Sequence, residues 1–162
     1  MESRTKLFGH AVHPMLVVFP LGLLGTAVVF DVIRLGTGNG YWSEIAFWMM
    51  AAGILSGLLA APFGAIDWLA IPSGTRASRI GLVHGLGNVV VLGLFALSWW
   101  LRRDAPGVPE MIALATSFLG FLLALVTGWL GGELVDRLGV GVDEGANLNA
   151  PSSLTHRRAI RG

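Results

Sequence analysis

Four stretches of this chain contain no Asp, Glu, Lys or Arg: Ala11–Phe30, Ile45–Ile66, Ile80–Leu101 and Met111–Gly132. They are 20, 22, 22 and 22 residues long. At about 1.5 Å of rise per residue, a helix of that length spans about 30–33 Å, the thickness of a bilayer's hydrocarbon core. Composition agrees, since charged residues make up only 13% of the 162 and apolar residues 54%. A soluble domain carries about 25% charged residues. The fold expected is all-α: an integral membrane four-helix bundle with helices at about 11–33, 45–70, 80–101 and 110–136. A soluble enzyme, a nucleic-acid binder and a disulfide-stapled secreted domain are excluded. With no cysteine, so are thiolate ligands, Fe–S clusters and covalent c-type haem. The first apolar run has no small-x-small cleavage site and reads as a retained signal anchor.

Short links, Asp31–Glu44, Asp67–Arg79 and Arg102–Glu110, imply an up-down-up-down bundle with both termini on one side. That side carries Arg4, Lys6, Arg76, Arg79, Arg137, Arg157, Arg158 and Arg161, against Arg34, Arg102 and Arg103 opposite. The positive-inside rule then puts the termini and the middle loop in the cytoplasm. Tyr41, Trp42, Trp99 and Trp100 mark the outer interface and Trp68 the inner one. The tail 139–162 lacks apolar periodicity and reads as a flexible cytoplasmic extension. In it, His156 is expected to be exposed, and the neighbouring arginines to meet anionic headgroups.

Each helix has a face of small or polar residues, and Gly53/Gly57, Gly81/Gly85 and Gly128/Gly132 keep the G-x-x-x-G spacing. Such faces pack helices closely in lipid, or leave room for a flat cofactor. Pro20 and Pro62 free the carbonyls of Leu16 and Leu58.

Ionisable residues near a membrane span are functional candidates. His10 and His13 open the first helix in Gly-His-Ala-Val-His-Pro and, three apart, share a face. His84 lies about 7.5 Å into the third helix, with Asn88 one turn deeper. Asp67 ends the second helix at the same level. Imidazoles and a carboxylate from facing helices are how bundles build metal sites. Three readings stay open. In one, His84 and His13 (or His10 in place of His13) are axial ligands of haem b, with Asn88 and Asp67 behind them, and the protein transfers electrons. In another, His10, His13, Asp67 and His84 bind Zn or non-haem Fe. In the third, the cluster is a polar cap on a cofactor-free subunit. Partners would be the bilayer, other redox membrane proteins or quinone, and a second copy of the chain. Asp31, five turns beyond His13, is expected to cap the outer end or pair with Arg34. Glu133 and Asp136 read as interfacial charges near Arg137, with Glu133 able to reach the histidines.

These residues resemble a bacterial membrane family known as domain of unknown function 2231. The resemblance rests on Gly9-His10-Ala11-Val12-His13-Pro14, Phe19-Pro20-Leu21-Gly22, Asp31 and Ala52-Gly53. It continues through Gly64-Ala65-Ile66-Asp67, His84, Asn88 and Gly128-Trp129-Leu130-Gly131-Gly132-Glu133-Leu134-Val135 into Gly139-Val140-Gly141-Val142. It implies the same membrane fold and no defined activity. Some relatives carry Rieske-type or c-type cytochrome modules, which implies electron transfer by analogy. This chain has no such module, and Asp136-Arg137-Leu138 stands where relatives tend to have Tyr-Arg-His.

Overall fold

The computed structural model describes residues 1–154; His156, Arg157, Arg158 and Arg161 lie outside them. Four helices follow one another: α1 (Val12–Thr37), α2 (Tyr41–Leu69), α3 (Arg76–Leu101) and α4 (Met111–Gly132). All four are long and apolar enough to cross a membrane. A five-residue π-helical turn, Glu133–Arg137, extends α4. The widened turn falls at the chain's Gly131-Gly132 step, where small side chains let the backbone ladder shift.

The helices outrun the charge-free stretches. The first link shrinks to Gly38–Gly40, because Asp31, Arg34 and Glu44 all lie within helix. Absence of charge marks the hydrocarbon layer, whereas a helix ends where its backbone finds another partner. Gly38 supplies that end for α1: with φ of 68° it turns left-handed and returns its N–H to Arg34 O. This conformation costs glycine little. Thr75 starts α3 by accepting the Ser78 N–H at 3.1 Å, an ordinary N-cap.

Two antiparallel hairpins result, α1 with α2 and α3 with α4, packed side by side around Leu24, Ala27, Met50, Val91 and Phe95. Outward positions such as Val18, Leu55, Leu59, Val89, Leu122 and Trp129 are apolar and exposed, as lipid contact requires. Gly53 sits against Leu24 and Leu23, and Gly57 against Leu92. Gly85, Gly128 and Gly132 face open space. The G-x-x-x-G spacing therefore marks close packing at Gly53/Gly57, and at Gly81 against Trp68, but not elsewhere.

Before α1 the chain makes a two-stranded antiparallel ribbon, β1 (Lys6–Leu7) with β2 (His10–Ala11). Phe8 and Gly9, both at positive φ, form its turn. Up to Leu154 the tail is not free. The Met1 ammonium donates to Gly139 O at 2.9 Å, and the Gly141 N–H returns to Met1 O at 2.9 Å. The Glu144 N–H donates to Glu2 Oε1 at 3.2 Å. Polar composition hid this order, since backbone groups supply most of it.

Candidate functional site

At the end of the bundle that carries both termini, two histidines are held in matching ways. His13, in the first turn of α1, places Nδ1 3.1 Å from Ala60 O of α2. His84, two turns into α3, places Nδ1 2.9 Å from Thr127 O of α4. Facing a carbonyl, Nδ1 is the donor in both rings, so in the neutral imidazole the lone pair sits on Nε2. Each ring also packs against a glycine four residues after its carbonyl. A Cβ on Gly64 would come 2.7 Å from the His13 ring, and one on Gly131 would come 3.1 Å from the His84 ring. Both imidazoles are half-buried.

Asn88 completes the His84 side. Its amide N–H groups reach His84 Nε2 at 3.2 Å and His84 O at 2.9 Å. Its Oδ1 accepts from Thr127 Oγ1 at 3.0 Å. An amide N–H on Nε2 is consistent only with a lone pair there. Among the described residues, His13 Nε2 has no protein partner.

Two residues expected in the cluster stand apart from it. His10 is in β2 rather than α1, so it does not share a helical face with His13; it is exposed and lies 3.2 Å from Ser153 Oγ. The Phe8–Gly9 turn delays the helix by one strand. Asp67 receives Ser3 Oγ at 2.7 and 2.8 Å and the Arg4 N–H at 2.9 Å, and no histidine. It anchors the N-terminal segment. Glu133 pairs with Arg76 at 2.6 Å instead of turning to the histidines. Among the described residues, no three His, Asp or Glu side chains converge as a metal-binding group.

The opposite end holds what the sequence did not announce. Asp31 pairs with Arg102, not Arg34, and caps nothing: Arg102 Nη1 lies 2.9 Å from Asp31 Oδ1, both side chains fully buried. Ser43 Oγ donates to Asp31 at 3.1 Å, and Arg102 Nη2 to Ser98 Oγ at 2.9 Å. Ser117 Oγ lies 3.5 Å from the carboxylate. Arg102 looked like a loop charge because it follows directly on an apolar run. One signal was available: Asp31 and Arg102 each stand 18 residues after a histidine.

Four apolar helices, buried polar clusters at both ends and a lipid-facing apolar girdle define an integral membrane four-helix bundle. The chain matches the profile of the predicted membrane proteins of DUF2231 over residues 9–144, and it belongs to that family. Nothing matches it among curated proteins or among solved structures.

Proposed function

We propose that His13 and His84 would hold a haem b through their Nε2 atoms, and that the protein moves single electrons within the membrane. The observation that carries this reading is the matched pair of Nδ1–carbonyl bonds. A ligand histidine usually donates its other N–H to a carbonyl or carboxylate, which sets the tautomer and stiffens the ring. Here Ala60 O and Thr127 O do this for both rings, which turns both Nε2 atoms toward the lone-pair role, with the one on His84 accepting from Asn88. Haem iron takes one or two ligands from the protein, whereas zinc takes three or four. The separation of His10 and Asp67 from the pair therefore favours haem over the non-haem site. When bound, the haem supplies a one-electron iron couple.

The residues around it have defined tasks. Ala60 and Thr127 orient the rings, Gly64 and Gly131 leave them room, and Asn88 holds His84 Nε2 until a stronger acceptor of its lone pair arrives. By the distribution of Lys and Arg, this end faces the cytoplasm of a bacterial cell. Electron exchange would then be with another redox membrane protein or with quinone.

Protein purified from cells with ample iron and haem should show a Soret band. His13→Ala and His84→Ala should each abolish it, and His10→Ala should keep it. Absence of the band in the wild-type chain overturns the proposal. The same two hydrogen bonds also favour a second reading, in which the histidines only latch each hairpin shut. It predicts no Soret band, with His13→Ala and His84→Ala lowering the unfolding temperature alike.

A further inference from the structure

The two hairpins repeat one another in register. Adding 71 to Pro20, Leu24, Ala27 and Asp31, buried in α1, gives Val91, Phe95, Ser98 and Arg102, also buried. Adding 67 to Ala46, Gly53 and Ala60 of α2 gives Ala113, Gly120 and Thr127 of α4, again buried. Identical residues recur at these offsets: Val12-His13 with Val83-His84, Leu21-Gly22-Leu23 with Leu92-Gly93-Leu94, and Gly64 with Gly131. Contacts recur as well. A Cβ on Gly53 would meet Leu24 and the Cβ of Leu23; one on Gly120 would meet Phe95 and the Cβ of Leu94. His13 on Ala60 O is repeated as His84 on Thr127 O. These replicated contacts lie within each hairpin and make the two hairpins internally alike.

Asp31 and Arg102 are equivalents at the offset of 71, and they meet 2.9 Å apart and without exposure. There the repeat breaks into opposite charges. We infer that Asp31 and Arg102 are the recognition pair by which each hairpin accepts the other and rejects its own kind. Two first hairpins pairing would bring two buried carboxylates together, and two second hairpins two buried guanidiniums. Two carboxylates could stay there only by giving up a charge to a shared proton, and two guanidiniums cannot give theirs up. The surroundings are specialised to match. Ser43 and Ser117 serve the carboxylate and Ser98 the guanidinium, while their counterparts at the same offsets are Glu110, Met50 and Ala27. The other buried residues at matching positions, Leu24 and Ala27 with Phe95 and Ser98, are uncharged in both hairpins. The charge pair is what keeps pairing within one chain.

The chain has no cysteine, so Ala27→Cys, one turn from Asp31 on the same buried face, adds a lone reporter thiol. It forms a disulfide only when first hairpins of two copies associate. Oxidation in membranes should give no disulfide dimer with Asp31 and Arg102 in place. Adding Asp31→Leu and Arg102→Met together should keep the chain folded, since apolar replacement of a buried ion pair is tolerated, and should produce the dimer. Adding Asp31→Arg with Arg102→Asp, which restores opposite charges, should abolish it again. A Leu/Met chain that yields no dimer, a charge-swapped chain that yields one, or a Leu/Met chain that fails to accumulate overturns the inference. The last outcome would make the pair a source of stability rather than of partner choice.

Discussion

Arg102 is fixed by a forked set of contacts, with one nitrogen on Asp31 and the other on Ser98 Oγ. Removing one partner of a buried pair leaves an uncompensated charge, which costs about 3–5 kcal/mol. Asp31→Ala is therefore expected to lower stability by about that much, read as a drop in the unfolding midpoint in detergent. Arg102→Lys should also be harmful, because an ammonium lacks the planar fork. Glycines divide just as sharply. A methyl group at Gly64 would press into the His13 ring at 2.7 Å, while Gly85 opens onto free space. Gly64→Ala should destabilise by about 1–3 kcal/mol through overpacking. Gly85→Ala should be neutral or stabilise by up to about 1 kcal/mol through helix propensity. Thermal unfolding of the two variants side by side checks the contrast.

Among elements, the N-terminal ribbon is the one that the helix pattern concealed. Asp67, at the end of α2, holds it through Ser3 and Arg4, and the tail closes over it through Met1 and Gly139. Asp67→Asn should loosen this segment while leaving the histidine pair intact. Tryptic cleavage after Arg4 and Lys6 should rise, with no change in any Soret band. A change in the band without added cleavage would return Asp67 to the histidine site. Apolar periodicity says little about short polar segments, whose order comes from individual hydrogen bonds. This is why the four helices were legible in the sequence and the ribbon and docked tail were not.

For the whole molecule, an even number of spans places residues 1–11 and 139–154 at one end. Reporter fusions at the N-terminus and after Gly139 should report the cytoplasmic side, and an insertion near Gly107 the opposite side. Split results from the two terminal fusions would contradict the fold itself. The sequence by itself determined the membrane and the number of helices, because charge-free length follows from solvation alone, and it singled out His10, His13 and His84 without choosing between the first two. Tertiary structure decided which groups meet. Helices α1 and α3 bring Asp31 to Arg102 across 71 residues of chain, and His13 to the α2 carbonyl of Ala60. The physical reason is that solvation acts on each residue separately. Pairing depends on the rotation and register of packed helices, which small residues on facing sides set together.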